Sequence, residues 1–249
     1  ATSYYGSHSK NTVSDEGFAI SEGWAEAIED LSTREYHDTA SSWRIKTHKN
    51  IADNKYIFKN QGVTTGPNDG ILKNGMEMLS TEGVNASLFY DVLSSNRIQA
   101  PYSKICQVFE SSKPQTYREF VDSYIQKFPE DRSQMIKQFL DNTKYATVDG
   151  NATTRYKEIH DAQQAWQNAT DPGIKTQLKA DYEARLASYN ETNEALYRQA
   201  VVEGKIDGAI DGSRAYSDQT VSEFRSLRLS ETLIKTQKAL GKGVQKAVD

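Results

Sequence analysis

Glu22 and Glu26 stand four residues apart in the run EGFAISEGWAEAIEDL, which begins at Glu16. On an α-helix, residues at i and i+4 share a face, so both carboxylates point the same way. Phe18, Trp24, Ala25, Ile28 and Leu31 are the apolar positions available to cover the buried side. Two acids beside a buried face are costly unless a metal ion or another cation compensates them. The chemistry open to this pair is metal binding, with Glu22 as an anionic ligand and Glu26 as the acid that orients a neighbouring histidine ligand. The alternative is an ordinary solvated helix face anchored by Trp24.

The elements that must position this pair are helices joined by polar loops. The helix carrying it is expected over about 15–31. Residues 32–70 hold few periodic apolar positions, with turn signals at Gln61-Gly62 and Gly66-Pro67 and at most a short strand around 56–58. Residues 71–93 read as one long helix or two short ones, bent or broken near Gly75 or Gly83. Tyr117, Phe120, Val121, Tyr124, Ile125 and Phe128 follow i, i+3, i+4, i+7, i+8, i+11, an amphipathic helix that Pro129 interrupts. Met135, Ile136, Phe139 and Leu140 mark the next helix.

After Gly150 the character changes. The charged, alanine-containing stretches 152–166 and 174–203 predict an antiparallel helical hairpin turning at NATDPG, because Pro172 forbids an unkinked continuous helix. Ile159, Trp166, Leu178, Tyr182, Leu186, Tyr189, Leu196 and Tyr197 make its apolar stripe. A glycine-rich connection follows from Glu203, and Ser217 is expected to cap a terminal helix over about 218–240. Lysines crowd the end of that helix, where its dipole favours cations. The fold class is therefore mainly α, divided into 1–150 and a second part, 151–249, made of the hairpin and the terminal helix.

SEGWAE at 21–26 resembles the EGWA-type helix of the gluzincin zinc metallopeptidases, in the version of their prokaryotic secreted relatives. STEGVNASLFYDVL at 80–93 is similar to the EGxVAxxLxD helix that follows in that group. YREFVDSYIQKFPEDRSQMIKQFLDN, from Tyr117, resembles the helical segment after it. Together these cover roughly 14–150. The resemblance implies a helical C-terminal metallopeptidase subdomain that binds zinc through Glu22, with Glu26 supporting a histidine ligand. It also implies hydrolysis of a peptide or protein substrate by zinc-activated water. The group's HExxH helix, source of two histidine ligands and the general base, is absent: His8, His37, His48 and His160 include no pair at i, i+4. An upstream segment of the same protein, or a companion chain carrying HExxH, is then expected to complete the site. The alternative is a non-catalytic relative that serves as an extracellular or surface assembly protein. Glu82 opens the second family-like helix and could support the zinc site. His48 and Tyr56 lie in the loop region that would face a cleft, and His8 could serve as a ligand only if the fold brings it near Glu22.

Composition narrows the classes. A net charge of −4 over 249 residues argues against a nucleic-acid footprint. No apolar run approaches the roughly 18 residues needed to span a membrane, and no apolar signal segment opens the chain. The first residue, Ala1, suggests processing or truncation. Cys106, the lone cysteine, cannot form an internal disulfide and is expected to be buried as a small hydrophobe. Sequons at Asn85, Asn151, Asn168 and Asn190, with the resemblance, favour a location outside the cell or at its surface. Asn85 falls within a presumptive core helix, which sets that sequon apart. Asp207 and Asp211, and VDGNAT at 148–153, could meet calcium, but neither completes an EF-hand loop.

Overall fold

The computed structural model describes residues 8–59 and 71–206. Within them the chain forms nine α-helices and no strand, so the protein is mainly α. The first helix, α1 (Glu16–Glu35), begins at Asp15, whose side chain accepts the Phe18 amide. It runs four residues further than the apolar pattern suggested. Two more helices lie ahead of the core helix: α2 (Ser42–Ala52), capped by Ser41, and α3 (Gly75–Leu79), closed by a reciprocal Asn74–Glu77 capping box. The expected strand near 56–58 is a 3-10 turn, Lys55–Ile57, followed by one antiparallel bridge between Phe58 and Leu72. The turn signals at 61–67 lie outside the described residues.

At the centre is α4 (Glu82–Leu93), buried on nearly every side. A helix apolar all round belongs inside a core, and α1 packs along it more closely than any other element does. The reason lies in the residues at the seam. Ala19, Gly23 and Ala27 recur every four residues on the buried face of α1. A Cβ placed on Gly23 would fall 2.5 Å from the Asn85 Cβ and 2.9 Å from the Ala86 nitrogen. The glycine of the Gly-Trp pair is therefore what lets the two helices touch, and Trp24 beside it packs edge-on against Phe89 at 5.3 Å.

Two helices complete an aromatic cluster around Phe89: α5 (Pro101–Ser112) supplies Phe109, and α6 (Tyr117–Lys127) supplies Tyr117 and Phe120. Pro129 ends this run as expected, in a short 3-10 turn before α7 (Arg132–Asn142). The stretch 71–93 forms two short helices, with the break at Ser80–Thr81, close to Gly83. Cys106 is only partly buried on α5, a correction to its expected place in the core.

The hairpin forms where Pro172 requires. Its arms are α8 (Ala152–Asn168) and α9 (Pro172–Glu203), with Pro172 at the first position of α9 and Asp171 capping the Ile174 amide. Gly204 closes α9 at φ 62°. Trp166 and Tyr182 stack at 5.5 Å between the arms, while α9 also packs on α7. The sequence's Asp207, Asp211 and terminal helix lie outside the described residues.

Candidate metal site

The segment leading into α1 runs along the start of α4. The Gly83 amide donates to Lys10 O at 2.8 Å and the Ser14 amide to Ser80 O at 2.7 Å. Gly83 is again a contact residue, since a Cβ there would meet the Tyr56 ring at 2.4 Å and Lys10 O at 2.7 Å. This docking carries His8 and Lys10 onto the seam between α1 and α4. The result is a convergence of His8, Glu22 and Glu82, whose ligand atoms all lie within 4.8 Å of one another. His8 Nε2 stands 3.5 Å from Glu82 Oε2.

Glu82 is 4 % exposed, and its Oε2 has no hydrogen-bond partner. Burial, then the neighbouring Glu26 and Glu22 carboxylates, push its pKa up, against the pull of Lys10 and His8. A buried carboxylate oxygen without a donor, beside a second carboxylate and an imidazole, is an arrangement that a cation would relieve. One nitrogen and two carboxylate oxygens also match the donor set of zinc. The residues present therefore fit a divalent ion.

Continuing along α1 in steps of four gives Glu22, Glu26 and Asp30, and each acid meets a basic group. Glu22 faces His8. Lys10 Nζ pairs with Glu26 and lies 3.8 Å from Glu82 Oε1. His48 Nδ1, from α2, approaches Asp30 Oδ2 at 3.1 Å and sets its ring edge-on to Tyr90 at 5.5 Å. The seam is thus a ladder of acid–base contacts. Burial raises the Asp30 pKa to about 6, although His48 pulls the other way.

Of the residues singled out in the sequence, Glu22 and Glu82 come together, and His8 joins them. Glu26 stands one turn along and is held by Lys10 rather than by a histidine. His48 belongs to the Asp30 pair. Tyr56 packs its ring against Gly83, and the Asn50 side chain lies beside its hydroxyl. Burial pushes that phenol up to about 12. At 148–153, Asp149 is occupied by the Arg155 guanidinium and the Asn151 amide. Sequence reasoning passed over Lys10, Asp30 and Lys73. Asp30 was open to discovery as the next member of the i+4 series.

Comparison with family models, with curated proteins and with solved structures gives no match for this chain.

Proposed function

We propose that this chain is the downstream, helical part of a secreted zinc metallopeptidase-like protein, with Glu22 as an anionic zinc ligand. The observation that carries the reading is the convergence of Glu22, Glu82 and His8 at a seam where one buried carboxylate oxygen lacks a donor. Zinc would supply Lewis acidity toward a scissile carbonyl and an activated water. Within the chain, Glu22 would contribute charge to the ion, and Glu82 would hold the ion or an incoming histidine. Lys10 would hold Glu26 in place. The general base and the two remaining histidines of the gluzincin pattern would come from an HExxH-bearing segment, upstream in the same protein or on a companion chain, and peptides or proteins would be the substrate. Exposed sequons at Asn151 and Asn168 are consistent with a place outside the cell or at its surface.

One observation favours a second reading, a non-catalytic scaffold of an extracellular or surface assembly. Lys10 already pairs with Glu26 and neighbours Glu82, so an ammonium group neutralises part of the seam without a metal.

Metal analysis and a peptidase assay on the complete gene product separate the two. The metallopeptidase reading expects stoichiometric zinc and hydrolysis of a peptide substrate, both abolished by Glu22→Gln. Glu26→Gln should weaken zinc by about 10–100-fold, as loss of an outer carboxylate does. A complete, folded product that binds no zinc and cleaves no peptide would overturn this reading in favour of the scaffold.

A further inference from the structure

Between the end of α7, the turn after it and the helical hairpin lies a cavity of about 320 Å³. That volume falls at the lower end of small-molecule sites, roughly 300–1,000 Å³. Three tyrosine rings, Tyr145, Tyr156 and Tyr189, and the carboxamides of Asn190 and Asn193 face it. Tyrosine faces and carboxamides are the surfaces that hold a ring while bonding its polar substituents.

The lining charges, Lys137, Lys144, Asp141 and Glu194, balance in number but do not all pair with one another. Lys137 Nζ donates to both Asp141 oxygens, at 2.7 and 2.6 Å, and the Tyr145 hydroxyl adds a third bond to Asp141 at 3.2 Å. Glu194 accepts from Arg198 Nε at 2.9 Å. Lys144 alone among the lining charges forms no ion pair within the described residues. Its ammonium lies over the Tyr156 ring, 5.8 Å from the centroid. The nearby Arg155 pairs with Asp149 and donates to the Asn193 carboxamide oxygen at 3.4 Å. Burial pulls the Lys144 pKa down, against the field of Asp141.

The backbone holds this lysine in place. The Tyr145 amide closes the end of α7 by donating to Leu140 O at 2.9 Å, with Lys144 at φ 52° and Tyr145 at φ 63°. Both lie in the left-handed region that favours glycine, and strained non-glycine positions of this kind gather at ligand sites. The Tyr189 hydroxyl donates to Lys144 O at 3.4 Å, tying the turn to the hairpin.

We propose that this cavity binds a small carboxylate carried on a ring, a sugar acid or an aromatic acid, with the carboxylate on Lys144 and the ring against the tyrosine and carboxamide lining. Asp141 and Glu194 also line the cavity, and a second negative charge on the ligand would meet them, so inorganic phosphate is the poorer occupant.

Titration calorimetry on the 249-residue chain with glucuronate, benzoate, glucose and inorganic phosphate tests it. Binding of glucuronate or benzoate, with glucose and phosphate at least about 10-fold weaker, is the expected result, and which acid binds tells a sugar source from an aromatic one. Lys144→Gln should weaken the binding acid about 10-fold or more, a change of about 1.4 kcal/mol. Lys137→Gln should alter it by less than about 3-fold. Protection of Lys144 from amine acetylation by the bound acid, in the unmutated chain, gives the same answer if Lys144→Gln fails to fold. Absence of binding by both acids at millimolar concentration overturns the proposal. So does equal binding of glucose, or an unprotected Lys144.

Discussion

Lys73 Nζ lies 2.5 Å from the Asn11 Oδ1, joining the chain ahead of α3 to the segment that enters α1. The same ammonium donates to Asn11 O at 3.2 Å and to Tyr56 O, and Lys73 is 1 % exposed. A lysine is almost never fully buried unless paired. Here three oxygens surround the ammonium, and the segment it fixes is the one that brings His8 to Glu22 and Glu82.

Lys73→Met should therefore act at two levels. It leaves the part-buried oxygens of Asn11 and Tyr56 without their donor, at about 1 kcal/mol each, and it releases the His8 segment. The variant should unfold at lower denaturant concentration. In a zinc titration of the 249-residue chain, any affinity that depends on His8 should fall with it. Equal zinc affinity in Lys73→Met and in the unmutated chain would show that the segment docks without Lys73.

Asp30 predicts a pH dependence whose sign follows from burial. Its folded pKa is raised to about 6 from the ordinary 3.8, so between these values the folded state holds more proton than the unfolded chain. Stability then falls as pH rises through this window, by up to about 3 kcal/mol for a shift of this size. The whole cost is present above the folded pKa and relieved as pH drops. Asp30→Asn removes the titration. Denaturant unfolding at pH 4, 5, 6 and 7 should show the variant gaining on the unmutated chain as pH rises, and parallel profiles would rule out a raised Asp30.

How much of this was legible in the sequence depends on which physical signal each part leaves. The helix of Glu22 and Glu26 announced itself through the shared face of its acids and its apolar positions, and α6, α7 and the hairpin did so through period and proline. The helix at Ser42–Ala52 left no such mark. Only Ile51 of its residues is buried, so there is no stripe to read. The break expected near Gly83 falls just ahead of it, and Gly83 itself sits in the first turn of α4, where the Tyr56 ring leaves no room for a Cβ. At the seam, Glu22 and Glu82 could be picked out from helical segments. His8 and Lys10 could not, because an aperiodic segment declares nothing about what it docks against. Lys73 was hidden by its own type, since a lysine reads as solvated until its acceptors are seen.

The hairpin offers the last test, and the structure lowers the expected size of its effect. Trp166 and Tyr182 stack at 5.5 Å with their planes 20° apart, but both rings are only half-buried. A fully buried Trp→Ala change costs about 3–5 kcal/mol, whereas a half-exposed stacked pair should lose roughly 1–2 kcal/mol, part of it from the aromatic contact itself. The loss should also be local. The buried residues of α9, Asn193 and Ala200, lie in its C-terminal half, so the turn end can open while the other end stays docked. Hydrogen exchange of Trp166→Ala should therefore speed up around 160–185 and leave α4 unchanged. Accelerated exchange throughout α4 would mean that the hairpin and the core unfold as one unit.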